Sequence, residues 1–371
     1  MSFSLPLSGL VVLDFTTLLP GPLASLMLAE AGAEVIKIER PEGESMRGFS
    51  PRIEGASLPF ALLNRGKRGV TVDFKDPAQL AGLRPLIERA DILIEQFRPG
   101  VMARNGLGYD AVKAINPRLI YCSISGYGQE GPRAQHAGHD LNFVAATGLL
   151  AGAPVENPTL PPVHAADIGG GTMPALINIL LALLQRDKTG VGSRIDIGMT
   201  DAMFTFGWLN LAHHWGKGAN AAASHAEPTA DSPRYRLYPT ADGRLVACAA
   251  LEQKFWEGFC DALDLDAALR DDSNDPAATA AHVADIVGGR PAAHWRPILE
   301  AADCCATVAA TLEEALADPH FVGRGLFTRR VALAEGVEIP ALPLPIAEGF
   351  RRPDTVLPAP RLEAKSDATL S

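Results

Sequence analysis

With 371 residues, 47% of them hydrophobic and 20% charged, the chain is long enough for two domains built on at least one large core. Its 33 basic against 43 acidic side chains, a formal charge of −10, argue against a nucleic-acid binder, because no basic face stands out to compensate the backbone phosphates; a few local cations still suffice for a small polyanionic ligand. Met1–Leu10 has neither the basic start nor the long apolar core of a secretory leader, and the longest apolar run, Met173–Leu184, is short for a bilayer and contains Asn178. Cys122, Cys248, Cys260, Cys304 and Cys305 are odd in number and lack zinc spacing, the pattern of reduced, mostly buried thiols in a cytoplasmic protein.

In chain order, Leu10–Phe15 is a compact apolar run and reads as a parallel strand. Pro20-Gly21-Pro22 breaks the chain, Leu23–Ala31 has helical apolar spacing stopped by Gly32, and Val35–Glu39 reads as a second strand. The pattern continues with Gly69–Phe74 as strand, Pro77–Arg89 as an amphipathic helix, and Asp91–Phe97 and Leu119–Ser125 as strands. Alternating β and α units predict an α/β fold with a doubly wound, Rossmann-like parallel sheet. No G-x-G-x-x-G follows the first strand, so a nicotinamide cofactor is a weak reading. Asn64-Arg65-Gly66-Lys67-Arg68 places three cations just before a strand, and Glu95-Gln96-Phe97-Arg98-Pro99-Gly100 follows the carboxyl end of another, the end where ligands collect in open α/β sheets. Such cations suit phosphate oxygens, although a solvated loop with clustered charges has the same composition.

The stretch from Gly138 to Met173 carries the chemistry. It opens Gly138-His139-Asp140-Leu141-Asn142-Phe143 and closes Ala166-Asp167-Ile168-Gly169-Gly170-Gly171-Thr172-Met173. The apolar Met173–Leu184 reads as a buried helix, which puts Asp167 and Gly169–Gly171 near a helix N-terminus, where free N–H groups favour negative charge. His139 with Asp167 suits proton transfer at carbon; a satisfied core histidine and an N-cap aspartate would have the same sequence.

Downstream, Arg194–Gly198 reads as a strand and Asp201–Leu211 as a helix with Met203, Phe204 and Trp208 on one side. Gly216–Ala230, rich in Ala and Gly, reads as a mobile linker. Tyr235–Pro239 and Leu245–Ala249 around Asp242-Gly243 form a hairpin signature, Leu251–Trp256 opens a helix, and residues 257–330 look helical. The proline-rich last forty residues read as an extended return, with Glu363–Ser371 loosely ordered. The predicted organisation is a large domain at 1–215, a small α+β domain at 216–330 and a C-terminal return at 331–371.

Several ordered motifs resemble class III CoA-transferases, the CaiB/BaiF superfamily that includes formyl-CoA and carnitine CoA-transferases and the α-methylacyl-CoA racemases. They are Leu7-Ser8-Gly9-Leu10 to Asp14, the Pro20-Gly21-Pro22 turn, Gly32–Glu39 with Arg40-Pro41, Asn64–Arg68, Glu95–Gly100, and Ser123–Gly128 with Gly131-Pro132. The resemblance implies a CoA thioester substrate with no metal and no permanently bound cofactor. It also implies an interlocked homodimer and a C-terminal tail packed on the large domain. Arg40, Arg65, Lys67, Arg68 and Arg98 become the expected contacts to the phosphate or adenine side of CoA.

In the transferases an aspartate at the position of Asp167 becomes an aspartyl-CoA thioester. In the racemases it is an acid/base paired with a histidine in a Gly-His-Asp-x-Asn frame, which this chain matches at His139. That resemblance implies a racemase of 2-methylacyl-CoA thioesters, with His139 and Asp167 on opposite faces of an enolate, peptide N–H groups around Gly169–Thr172 meeting its oxygen, and Glu252 orienting His139. The apolar flanks Leu141, Phe143, Ile168 and Met173 would raise the aspartate's pKa. The alternative implied is a CoA-transferase using Asp167 as nucleophile. One segment departs from the racemase pattern: Asp231-Ser232-Pro233-Arg234-Tyr235 stands where those enzymes carry a Gly-Gly-Ala-Pro-Tyr-like stretch that shapes the acyl pocket.

Overall fold

The structure, a computed structural model, describes residues 4–151, 159–217 and 232–362; the expected linker from residue 218 to 230 and the expected loose end at 363–371 lie outside the described residues. The described residues divide into two compact units. One comprises those of Met1–Leu149, Thr159–Gly207 and Gly325–Ser371, the other those of Leu150–Pro158 and Trp208–Arg324.

The first unit is built on six parallel strands. Apolar runs buried on both faces are what a parallel sheet covered by helices requires, and Val11–Phe15 (β1), Ile92–Glu95 (β4) and Ile120–Ser125 (β5) are buried throughout. With Glu34–Glu39 (β2), Arg68–Thr71 (β3) and Arg194–Gly198 (β6) they lie in the order β3-β2-β1-β4-β5-β6. Leu13 sits level with Ile36 on one side and Leu93 on the other. That order is the doubly wound one, with its reversal between β1 and β4, and the crevice beyond their carboxyl ends is where such sheets bind ligands.

Helix α1, Pro20–Glu30, starts at that crevice. The Pro-Gly-Pro turn expected to break the chain opens the helix instead, because proline's missing N–H is one of the unpaired first-turn donors in any case. Gly21 is required by closeness: a Cβ there would stand 2.3 Å from the Thr16 side chain. The Gly21 N–H donates to Gln96 Oε1 at 3.0 Å, bridging the two sides of the crevice. The single helix expected at 77–89 is two, Pro77–Gly82 and Arg84–Arg89, because Pro85 removes an N–H and crowds the preceding turn.

Under β1 and α1 lies a buried network of charge. Asp14 Oδ2 accepts from Ser25 Oγ at 2.6 Å and Lys67 Nζ at 3.0 Å, and Asp14 Oδ1 accepts from the Thr16 N–H at 2.9 Å. Lys67 completes its three donors with Pro22 O at 2.9 Å and Asn64 Oδ1 at 2.7 Å, Asn64 being the last residue of α2, Leu58–Asn64. Lys37 Nζ donates to Thr16 O at 2.9 Å and lies 3.5 Å from Glu44 Oε2. A second knot forms at Glu30 at the end of α1, whose carboxylate meets Arg65 at 3.3 Å, Arg329 at 3.2 Å and Arg351 at 2.9 Å. The strands Arg330–Ala334, Val337–Pro340 and Val356–Pro358 make a small sheet of the same unit, where Val331 and Ala341 pack against Ala61 of α2.

The remaining elements of this unit carry the site: α3, Asp140–Ala145; a π-helical segment, Ala165–Thr172; α4, Met173–Thr189; and α5, Met199–Phe206. The expected helix at 201–211 is divided at Gly207 between α5 and Trp208–Lys217, and its three side chains do not share a buried face, since Met203 is buried while Phe204 and Trp208 are exposed. The segment read as too short for a bilayer belongs to a helix of 25 residues, Ala165–Thr189, long and apolar enough by length and composition to cross one. In this fold it is a sheet-covering helix: Ala175, Ile179, Ala182 and Leu183 are buried, and buried Arg186 pairs with Asp91 at 2.9 Å.

In the second unit the hairpin strands Tyr235–Pro239 and Leu245–Ala249 are joined by Ala306–Val308, a third strand that the Ala-rich sequence did not reveal. Their sheet packs with Trp256, Phe259 and Trp295 of two helices into one core.

Removing one partner of a buried, hydrogen-bonded ion pair leaves the other charged and unsolvated. Lys67→Met is therefore expected to lower the unfolding free energy by about 3–5 kcal/mol, read from urea denaturation against the wild-type chain.

Candidate active site

Gly138 and Gly126 leave no room for side chains, since a Cβ on either would meet the Phe143 ring at 2.6 and 2.4 Å. That closeness fixes the entry to α3. His139 is its N-cap in extended backbone, with its N–H donated to Asn142 Oδ1 at 3.0 Å, so Asn142 of the Gly-His-Asp-x-Asn frame holds the turn that carries the histidine. The His139 side chain is exposed, and the next residue, Asp140, is buried.

Asp167 lies in the first turn of the π-helical segment, which runs without a break into α4. The helix thus begins eight residues before the expected start at Met173. Three glycines allow it to settle between α1 and α5: a Cβ on Gly169 would stand 2.4 Å from the Phe206 ring, one on Gly170 2.5 Å from Met199 O, and one on Gly171 2.9 Å from Pro20 Cβ. Thr172 Oγ1 fastens the same point by donating to Pro20 O at 2.8 Å. Asp167 is thereby anchored beside the start of α1. Single π turns inside helices recur at functional sites because they widen the helix and re-aim side chains.

The winding corrects one expectation. The N–H groups of Gly170–Thr172 lie inside the helix and are taken up by its own pairing, so they are not free donors for an oxyanion. First-turn N–H groups are the ones without intrahelical partners, and that of Asp167 donates to Asp140 Oδ1 at 2.9 Å.

The Asp167 carboxyl is pushed up to about 6, chiefly by burial and next by the Asp140 charge, while His164 and His139 oppose the rise. Of the apolar flanks expected to desolvate it, Phe143 is buried and Ile168 and Met173 pack against the α1 cluster, whereas Leu141 is exposed. Two members of this group were missed by sequence reasoning. Asp140 stands inside the recognised motif but reads as an ordinary first-turn acid, and His164 is exposed and three residues before Asp167, with nothing in its spacing to mark it.

Glu252 belongs to the second unit, as the N-cap of Gln253–Ala262; it is exposed and its carboxylate makes no capping bond. The departing segment at 232–235 is taken up internally. Ser232 Oγ accepts the Arg234 N–H at 3.1 Å, Arg234 grips Asp272 at 2.9 and 2.6 Å, and its guanidinium lies over the Trp256 ring; Asp231 is outside the described residues.

The five expected phosphate contacts separate. Arg40 follows β2 and Arg98 follows β4 at the carboxyl edge of the sheet, both exposed, with Arg40 Nε on Gly43 O at 2.8 Å. Arg68 opens β3 at the opposite, amino edge, 3.8 Å from Glu34. Arg65 and Lys67 are buried in the two ion networks under α1, so the expectation that they reach a ligand gives way to an internal role. Buried cations need partners, and the sequence could not show that Glu30 and Asp14 supply them. Among the described residues no group of His, Cys, Asp and Glu is arranged to hold a metal ion.

An open parallel sheet with a crevice at its switch point, and a proton-holding aspartate near a histidine beside it, define an α/β protein equipped for acid/base or acyl chemistry. The chain belongs to CoA-transferase family III, whose model matches residues 7–366. It is 34% identical to the human alpha-methylacyl-CoA racemase over 86% of this chain and 82% of that one. It is 31% identical to the acetyl-CoA:oxalate CoA-transferase of Acetobacter aceti over 98% of this chain and 94% of that one. A crystal structure of a CaiB/BaiF family protein from Brucella suis superposes with a TM-score of 0.79 at 29% identity, each chain covered completely. The relatives thus include both racemases and transferases acting on CoA-linked substrates.

A raised carboxyl pKa carries a sign for stability. The folded protein holds the Asp167 proton to higher pH than the unfolded chain, so the group costs stability as pH rises from the ordinary carboxylate value of 3.8 to about 6, and the full cost is present above that. Asp167→Asn is expected to raise stability at pH 7 by about 1–3 kcal/mol, with the gain fading below roughly pH 4, as thermal unfolding at several pH values would show.

Proposed function

We propose that the protein is a racemase, or a close epimerase, of 2-methylacyl-CoA thioesters. One observation carries this reading: an aspartate whose carboxyl holds its proton to about pH 6, in a site that also contains a histidine in the Gly-His-Asp-x-Asn frame. A thioester acidifies the neighbouring C–H bond. One of the two groups takes that proton, the electron pair moves onto the thioester oxygen as an enolate, and the other group delivers a proton to the opposite face. A carboxyl that holds its proton to about pH 6 can serve as acid in one direction and base in the other. A carboxylate that must attack a thioester gains nothing from retaining its proton. Arg40 and Arg98 are the proposed contacts to CoA phosphates.

The transferase reading has its own support in the Acetobacter aceti enzyme, which matches almost the whole chain. The two separate in deuterated water without an acceptor acid. A racemase incorporates deuterium at carbon 2 of (2R)- or (2S)-2-methylacyl-CoA with loss of optical purity. We expect that activity, abolished in Asp167→Ala and reduced at least about 100-fold in His139→Ala. In the direction that uses Asp167 as base, the rate should climb as pH rises through about 6. No incorporation across several chain lengths, with an Asp167-linked CoA adduct trapped by hydroxylamine, would give the transferase reading its place.

The protein is further proposed to work as a homodimer. In its support, Ile177, Leu180, Leu181 and Leu184 form an apolar stripe on α4 that is exposed in the single chain. Sedimentation velocity is expected to give a species of twice the chain mass, and Leu181→Glu with Leu184→Glu to shift it toward the monomer.

A further inference from the structure

Among the groups around Asp167, the mechanism above leaves Asp140 without a task, although it is the buried one. It occupies the first position of α3, directly after His139, and its Oδ1 accepts the main-chain N–H of Asp167 at 2.9 Å. That single bond joins the helix bearing the histidine to the helix bearing the aspartate. We infer that Asp140 is a positioning residue: through its bond to the Asp167 N–H its carboxylate fixes Asp167 relative to His139 and sets a buried negative charge beside it.

The surroundings leave this task to few groups. From α1 and α5 the π-helical segment meets Pro20, Met199, Met203 and Phe206, none of them charged. The charged or titratable groups that act on Asp167 are Asp140 and His139 at the start of α3, and His164 on its own segment. His139 and His164 favour the ionised carboxylate, and both are exposed, so their effect is screened by water. Asp140 is the one buried charge of the three, and like charges in a shared low-dielectric site raise the affinity of one partner for its proton. A neutral residue making the same hydrogen bond would hold the geometry and lose the electrostatic effect. The two parts of the proposal are therefore separable by substitution.

This inference rests on Asp167 being an acid/base group, and the test keeps the two apart. The titration of Asp167 is followed directly by its ¹³Cγ resonance in aspartate-labelled protein, assigned by its disappearance in Asp167→Asn. In Asp140→Asn, which retains an acceptor oxygen without the charge, the Asp167 midpoint is expected to fall by about one pH unit, and the low-pH limb of the deuterium-exchange rate to move with it at unchanged KM. In Asp140→Ala, which loses the bond as well, kcat should drop on the order of 100-fold. An Asp167 midpoint that is the same in wild type and Asp140→Asn overturns the proposal, whatever the activities. So does a wild-type Asp167 that titrates at the ordinary carboxylate value, a result that needs no variant to fold. A lowered midpoint in a protein that exchanges no α-proton supports the role of Asp140 and removes the racemase reading instead.

Discussion

The buried pair of Asp14 and Lys67 is the interaction on which the geometry of the site depends. Burial alone would push the Asp14 carboxyl up. The Lys67 and Lys37 charges, with the Ser25 and Thr16 hydroxyls, hold it well below the usual carboxylate range. Burial likewise brings Lys67 down to about 8 despite its partner. Each group is tolerated only because the other is there, and between them they tie β1, the first turn of α1 and the end of α2. Those elements form one wall of the crevice at the switch point. Gly21 and Pro20, which receive Gln96 and the glycine-rich segment respectively, are held in place by this network.

From that wall the constraint passes to the chemistry through contacts in which glycine is the only residue that fits. The π-helical segment comes close enough to α1 and α5 to exclude any side chain at Gly169, Gly170 and Gly171, and a helix placed so tightly has little freedom to shift. Asp167 inherits that rigidity. Half-buried beside a second carboxylate, it becomes a group that can both give and take a proton near neutral pH, from an aspartate that in water would do only the latter.

Much of this was legible in the residues and some was not, for reasons that differ. The strands of the large sheet declare themselves because both faces are buried and each is a short run of Val, Ile and Leu, so their positions are read to within two or three residues. His139 and Asp167 were visible because unusual residues stand beside glycines. The start of the helix that carries Asp167 was not, since Gly169-Gly170-Gly171 looks like a loop unless one knows that two helices press on it. The fates of Arg65 and Lys67 were illegible in principle: a cation cluster before a strand has the same spelling whether it faces phosphate or a buried glutamate thirty-five residues away. Asp140 was hidden by its ordinariness, as a first-turn acid whose partner is a main-chain N–H and leaves no trace in composition.

Glu30 has a consequence for the order in which the molecule comes into being. Its three arginines come from the end of α2 and from two points more than 260 residues further on, after the entire Trp208–Arg324 segment of the second unit has intervened. During synthesis the carboxylate at the end of α1 meets Arg65 early but waits for Arg329 and Arg351 until the chain is nearly finished. The second unit, almost continuous in sequence, has all its core residues between Tyr238 and Val308 and is free to condense before then. The larger unit, although it begins first, is the one closed last, by contacts of very long sequence separation that slow the search for the native state.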